Sequence, residues 1–418
     1  MDAKIHKMPT VIPFKAIRPV RDKVALVSSR SYDNYSHAEL GAQLSFNPYS
    51  FLHIIAQSFN SHEAIPASER FKRIAATYSD FKKQEYFIQD ELPTYYLHQI
   101  TNEDSSFCGI IAGTAAQDYF DDTIKKHEKT LSKRERLFEK YLRGVGFNAE
   151  PVLLTYKDDV AINQITSKYK QQRPEYEFAT MQKQVHKLWL IQDPKDIATI
   201  QESFEKQDAF YIADGHHRSA SAALLAKDLA AENPNHNGNE AYNFFMSYLI
   251  PESQVKLYEF NRLLKLSPDF DSANFLKALH QNFEVIEKGN GIYKPQEKHE
   301  FALYINNLVY SLKLKKDQYQ ASNALEDLDV QLLFDLVLKP LLHIEDPRHD
   351  KRLAYSHGKK NAYYLKEQVD SGAYTLAFGL FPIDIDTLKA IADQQLTMPP
   401  KSTYIKPKLR SGLTIYEF

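Results

Sequence analysis

Between Tyr211 and Ala226 the chain reads Tyr211-Ile-Ala-Asp-Gly-His-His-Arg-Ser-Ala-Ser-Ala-Ala-Leu-Leu-Ala226, an apolar run followed without a linker by an alanine-rich one. Ala209 to Ala213 has the length and apolarity of a buried strand, and the alanines and leucines after it favour a helix. Any fold of this chain must therefore bring a strand end and a helix start to one corner, with Asp214-Gly215 making the reversal. The first amides of a helix have no acceptor inside it and carry the positive end of its dipole. Glycine lets a ligand approach that backbone, and two imidazoles and a guanidinium add donors around it. Gly215, His216, His217 and Arg218 are thus expected to hold phosphate or another anion. Asp214 is expected to cap the helix, hold a histidine, or act as the ligand of a divalent ion such as Mg²⁺. The plainer alternative, a capped helix with two surface histidines, does not explain a glycine set between an acid and two histidines.

The rest of the composition bounds what such a corner can serve. At 418 residues, with 43% apolar and 25% charged residues, the chain suits a folded protein of two or three domains rather than a disordered one. Lysine and arginine number 52 against 54 acids, for a formal charge of −2. There is no global field to hold nucleic acid or an anionic membrane, so any anion site must be local. A single cysteine, Cys108, excludes an internal disulfide and a multi-thiolate zinc site, and fits a reducing compartment. Residues 1–13 lack the apolar core of a signal peptide, and no run of about 18 apolar residues occurs. The expected localisation is cytoplasmic.

Along the chain, Lys23 to Ser28 reads as a strand and Pro48 to Ile55 as a buried segment. Thr94 to Ile100 and Cys108 to Ala116 read as strands joined by a turn at Asn102–Ser106. Residues 121–143 have the charge pattern and apolar stripe of a helix stopped by Gly144, the stripe being Ile124, Leu131, Phe138 and Leu142. His127 and Glu128 fall on or beside that stripe, which directs the pair inward. Val152 to Tyr156 and Trp189 to Ile191 are expected strands, and Asp193 to Phe204 a helix. After residue 265 the pattern is a mixture: helices near 273–282, 329–338 and 385–395, strands near 301–314 and 374–380. The fold class is α+β, or mixed α/β. Three regions are expected, 1–150, 151–265 and 266–418, with soft boundaries.

Two further groups carry chemistry. His127 with Glu128, among Lys125, Lys126 and Lys129, can supply a general base on an anion-binding surface; a half-buried histidine satisfied by a neighbour is the plainer reading. The run Met398 to Gly412 contains Lys401, Lys406, Lys408 and Arg410 with no acid, stiffened by Pro399, Pro400 and Pro407. Lys401 and Lys408 are the candidates to neutralise a phosphorylated substrate; a solvated basic tail is the alternative. Ser28 to Asp33 is a polar stretch that can enter a site. Position 131 is leucine, so the zinc-protease His-Glu-x-x-His pattern is absent, and there is no Walker A sequence. Gly144-Val-Gly-Phe-Asn-Ala149 follows a helix and precedes a strand, the reverse of a dinucleotide site.

Several segments in order resemble a bacterial and archaeal family, domain-of-unknown-function family ten-fifteen. They are Pro13 to Pro19, Tyr32-Asp33, Ile124 to Thr130, His186 to Trp189, Ile212 to Arg218 and Met398 to Thr403. The Gly-His-His-Arg turn in addition resembles the phosphate-binding Gly-x-His-Arg turn of the ParB/sulfiredoxin-like fold, whose members include chromosome-partitioning nucleotide switches, sulfiredoxin and free-serine kinases. That resemblance implies a ParB/sulfiredoxin-like core with additional α+β regions, and phosphate contacts at Gly215, His217 and Arg218. Sulfiredoxin's cysteine is replaced here by His216, which speaks against sulfinic-acid reduction. The resulting expectation is a phosphoryl-transfer enzyme acting on a small hydroxylated metabolite, with serine or phosphoserine leading and a nucleotide or pyrophosphate as donor. In it His127, Glu128 and Asp214 are catalytic. The alternatives are a non-catalytic nucleotide switch of ParB-like type and a metal-dependent phosphatase or nuclease.

Overall fold

Tyr95–Asn102 and Ser105–Ala115 form the hairpin on which the larger sheet is built, and within them residues 95–97 and, apart from Gly109, residues 107–112 are apolar runs. Strands with that pattern are covered on both faces, and Tyr95, Tyr96, Leu97, Ile110, Ile111 and Ala112 are indeed buried. The structure, a computed structural model, describes residues 8–57, 59, 65–315, 319–357 and 362–418. Of the N-terminal segment considered above, residues 1–7 lie outside the described part.

The chain forms two compact units. The first comprises the described parts of Met1–Lys126, with Thr130–Val255 and Pro407–Phe418, and runs through position 150 without a break. Its main sheet has the strand order Tyr176–Ala179, Val185–Ile191, Tyr95–Asn102, Ser105–Ala115, Phe244–Pro251, Val152–Tyr156, Phe210–Asp214, Ile124–Lys125. Val11–Ile12 pairs in addition with Ser105–Ala115. Pairing is antiparallel except where Phe244–Pro251 meets Val152–Tyr156 and where Phe210–Asp214 meets Ile124–Lys125. Leu154, Ile212 and Phe245 of the sheet join Ile162, Phe204 and Ala223 of three helices in one apolar cluster. The second unit comprises His127–Lys129 and the described part of Lys256–Lys406. Its sheet is antiparallel throughout, ordered Phe283–Glu287, Leu308–Leu314, Glu300–Ile305, Leu376–Gly379, Lys256–Leu264, Leu353–His357, with Thr403–Lys406 also paired to Lys256–Leu264. The mixed α/β class expected from the pattern is what the chain adopts. Among the described residues no helix is long and apolar enough to cross a membrane.

Two expected elements differ. Residues 121–143 are not one helix: a short helix at Gln117–Phe120 and a strand at Ile124–Lys125 precede the helix Ser132–Val145. Asp122 takes a left-handed conformation, φ 61°, and Phe210 N–H donates to Thr123 O at 2.9 Å, so sheet pairing overrides the helical pattern. Gly146, left-handed at φ 76°, ends the helix in place of Gly144. Lys23 to Ser28 is likewise not a strand; Val24–Val27 is a single helical turn, and Ser29–Arg30 pairs as a strand instead.

Candidate anion-binding site

The expected corner exists. Phe210–Asp214 is a strand, and the helix His216–Glu232 begins after Gly215. The strand's register against Val152–Tyr156 slips between Ile212 and Asp214, an irregularity that re-aims the residues after it. Gly215 is the residue before the helix, with φ 102° and ψ 29°, and no side chain caps the helix. The capping role considered for Asp214 is therefore not the one found. A Cβ on Gly215 would lie 3.0 Å from Nε and Nη2 of Arg218. Glycine is needed there for its backbone conformation and because a guanidinium lies over it. Inside the helix, Ser219 Oγ donates to His216 O at 3.0 Å and Ser221 Oγ to His217 O at 2.6 Å, which accounts for buried serines in an alanine-rich helix.

The side chains at the corner are charge-paired. Asp214 accepts from Lys408 Nζ at 3.0 Å on one oxygen and from Arg218 Nη2 at 3.2 Å on the other. Arg218 also pairs with Glu150, and Glu150 accepts from Ser411 Oγ at 2.9 Å. Asp33 lies close enough to act on the Arg218 charge. Two cations and two carboxylates thus meet at the helix start, all on the first unit. His216 is buried, 5% exposed, so the alternative of two surface histidines fails for it. Burial first, and the neighbouring His217 second, push its pKa down to about 3. His216 is a neutral imidazole at neutral pH, a hydrogen-bonding group rather than a charge. Both Asp214 oxygens thus accept from cations.

The strand Arg410–Ser411 pairs with Ser29–Arg30, and Arg410 donates from Nε to Ser28 Oγ at 3.1 Å and from Nη2 to Ser28 O. The polar stretch from Ser28 to Asp33 is thus in the same unit as the corner. Lys408 and Arg410 are not part of a solvated tail, which removes that alternative for them. Glu150 and the buried pair His98 and His186, whose rings stack with 3.1 Å between Nε2 and Nδ1, were not among the expected residues. His186 opens one of the segments that carry the family resemblance, whereas Glu150 and His98 leave no trace in the sequence beyond chemical type.

His127, Glu128 and Lys401 belong to the second unit. His127 and Glu128 lie in a non-helical stretch, not on a helix stripe. His127 is buried, 1% exposed, and its carbonyl accepts from Met398 N at 2.9 Å, whereas Glu128 is exposed. Lys401 has a left-handed backbone, φ 58°. Its carbonyl accepts from Arg262 Nη2 at 3.2 Å, and its ammonium sits 5.5 Å from the Phe260 ring centroid.

The chain belongs to the family described as "Protein of unknown function (DUF1015)", whose model matches residues 11–331. No curated protein matches it. Among solved structures it is similar to a free serine kinase in complex with AMP, at 15% identity and a TM-score of 0.35, covering 75% of this chain and 94% of that one. It is also similar to a conserved hypothetical protein from Pyrococcus furiosus, at 17% identity and a TM-score of 0.33, covering 73% and 95%. A third is SbnI with C-terminal truncation from Staphylococcus aureus, at 11% identity and a TM-score of 0.36, covering 71% and 82%. Likeness at that level fixes neither a fold nor an activity for this chain.

Proposed function

We propose that the Gly215–Arg218 corner holds the phosphates of a nucleotide or pyrophosphate, and that the chain transfers a phosphoryl group from it to a small hydroxylated metabolite. The observation that carries this reading is a left-handed glycine opening a 17-residue helix, with an ammonium and a guanidinium converging on one carboxylate beside it. Phosphoryl transfer requires placement and charge neutralisation more than covalent chemistry. In the proposed cycle a donor phosphate meets the first-turn amides, and Lys408 and Arg218 turn from Asp214 to its oxygens. The exchange is inexpensive on the Lys408 side, because exposed pairs of this kind contribute about 0.2–1 kcal/mol. Asp214, released, accepts the proton of the acceptor hydroxyl. That oxygen forms the new bond to phosphorus as the bond to the donor's leaving oxygen breaks. His216 and His217 contribute hydrogen bonds.

Serine is the first acceptor to test, on the resemblance of the turn to one found in free-serine kinases. The ParB/sulfiredoxin-like character of residues 151–265, the catalytic roles of His127 and Glu128, and the charge-offsetting role of Lys401 are parts of the same proposal. Substituting His127→Ala, Glu128→Gln and Lys401→Ala tests those three roles. The main experiment incubates the protein with ATP, ADP, CTP or pyrophosphate, each with serine, and follows phosphoserine by phosphorus NMR. Binding without turnover supports the nucleotide-switch alternative, and phosphate released to water supports a phosphatase. An Arg218→Ala variant that folds and still binds pyrophosphate as the wild type does would overturn the assignment of the corner. The expected loss is about 10–100-fold, from the roughly 1.5–3 kcal/mol of a charge-assisted hydrogen bond.

A further inference from the structure

Arg30 and Arg410 are directly opposite one another in the antiparallel pair that joins Ser29–Arg30 to Arg410–Ser411. Side chains at opposed positions share a face with Cβ atoms about 5 Å apart, and like charges there repel. Arg410 is only 9% exposed. Both of its acceptors are neutral oxygens of Ser28, and among the described residues no carboxylate pairs with it. A buried guanidinium without a counter-ion is strongly disfavoured. Arg30 is partly compensated: Nη2 reaches Glu39 at 3.1 Å and its guanidinium lies 4.1 Å from the Tyr35 ring centroid, yet its Nε is buried without an acceptor. His186, fully buried and under the influence of the Arg410 charge, has Nδ1 against His98 and Nε2 without a partner.

We propose that the Arg30–Arg410 pair binds the carboxylate of a small acid, and that this acid is the acceptor, so that the substrate class is hydroxy or amino acids bearing a free carboxylate. The assignment to the acceptor rests on the function proposed above; the carboxylate site itself does not. Guanidinium forks match carboxylate and phosphate alike. The surplus here is about one charge, that of Arg410, because Glu39 already offsets Arg30. One charge suits a carboxylate better than a phosphate dianion. The two sites are close along the chain. Lys408 holds Asp214, Arg410 holds Ser28 and Ser411 holds Glu150.

The test titrates the full chain with L-serine, D-glycerate and glycolate, with serinol as the analogue lacking a carboxylate, and separately with inorganic phosphate and pyrophosphate. Arg410→Met removes the charge and Arg30→Gln, at the less buried of the two positions, is the companion should the first fail to fold. The expected result is carboxylate binding that serinol does not share, weakened about 10–100-fold by either variant, with pyrophosphate affinity held within about threefold. Ligand-free Arg410→Met is expected to melt at or above the wild-type temperature, whereas a purely structural arginine would lower it. No carboxylate binding, or binding unmoved by both variants, overturns the inference while leaving the pyrophosphate result to judge the corner. Phosphate binding that depends on Arg410 in place of carboxylate overturns the ligand class. Carboxylate binding without any pyrophosphate binding sinks the acceptor role and the proposed function together, but keeps the site.

Discussion

Replacing Gly215 with alanine separates two costs that the corner combines. The first is backbone strain: φ 102° is a conformation that residues with a side chain rarely adopt, at about 1–3 kcal/mol. The second is the guanidinium above it. An alanine Cβ would lie 3.0 Å from Arg218 Nε and Nη2 and 3.4 Å from Cζ, so the guanidinium must shift by a few tenths of an ångström. Its bond to Asp214 is already 3.2 Å long, and such a shift takes it to the edge of hydrogen bonding. Gly238 supplies the control, with φ 89° and no atom within 4 Å of an added Cβ. Gly238→Ala therefore carries strain alone. We expect Gly215→Ala to cost about 1 kcal/mol more than Gly238→Ala, a further fall in melting temperature of about 2–4 °C. Pyrophosphate affinity is expected to fall about tenfold in Gly215→Ala only, because the new methyl covers the amides. In an Arg218→Ala background the excess cost of Gly215→Ala should vanish, since the atoms it meets are gone. The readouts are denaturant unfolding and calorimetric titration of pyrophosphate. Equal stability losses in the two glycine variants, with pyrophosphate affinity intact in both, would refute the placement of Arg218 over Gly215.

Four further outcomes follow from the same geometry. Lys408→Met should change stability by less than about 1 kcal/mol, because both partners of the Lys408–Asp214 pair are more than a third exposed, while pyrophosphate affinity drops about tenfold in the same titration. Glu150→Gln keeps an acceptor for Ser411 but removes one counter-charge from Arg218; pyrophosphate should bind several-fold tighter while the melting temperature falls. Burial above all lowers the pKa of His98 and His216 to about 3 and of His186 to about 2. The unfolded imidazoles take up protons near pH 6.5 and the folded ones do not, so stability is present above pH 6.5 and lost as pH falls toward 3. That loss is about 1.4 kcal/mol per histidine per pH unit once protonation of the unfolded chain is complete; unfolding midpoints at pH 7, 6 and 5 measure it, and His216→Gln should flatten the slope. Raising salt from about 0.05 to about 0.5 M should weaken pyrophosphate binding less in the wild type than in Glu150→Gln, whose corner carries surplus positive charge.

What was legible in the sequence is what local pattern controls. The hairpin of Tyr95–Asn102 and Ser105–Ala115 was visible because short runs rich in aromatic and β-branched residues flank a polar turn. The strand, glycine and helix of the corner were visible for a similar reason, since alanine-rich composition and a lone glycine have few other uses. The segment 121–143 differs from its local pattern, since its charges and apolar spacing suit a helix throughout. Only the pairing of Ile124–Lys125 with Phe210–Asp214, about 85 residues away in sequence, breaks it. Nothing local to Ile124 announces that partner.

The charge balance of the corner was hidden for a related reason, and it changes the chemistry. Counting residues near Gly215 finds three basic or imidazole side chains and one acid, which describes an open cradle for anions. In the fold, Lys408 comes from 194 residues away to Asp214, and Glu150 reaches Arg218 while holding Ser411 from 261 residues away. Lys408 was recoverable because the run after Met398 is basic and has no acid. Glu150 was not, being one acid among 54 with no pattern around it. With both carboxylates in place an incoming phosphate exchanges ion pairs instead of adding them. The free energy of binding is then a difference between similar terms, and selectivity must come from what each partner reaches when released. Under the function proposed above, a cation leaving Asp214 for a phosphate oxygen would free that carboxylate to act as the base, so that donor binding and base activation would be one event.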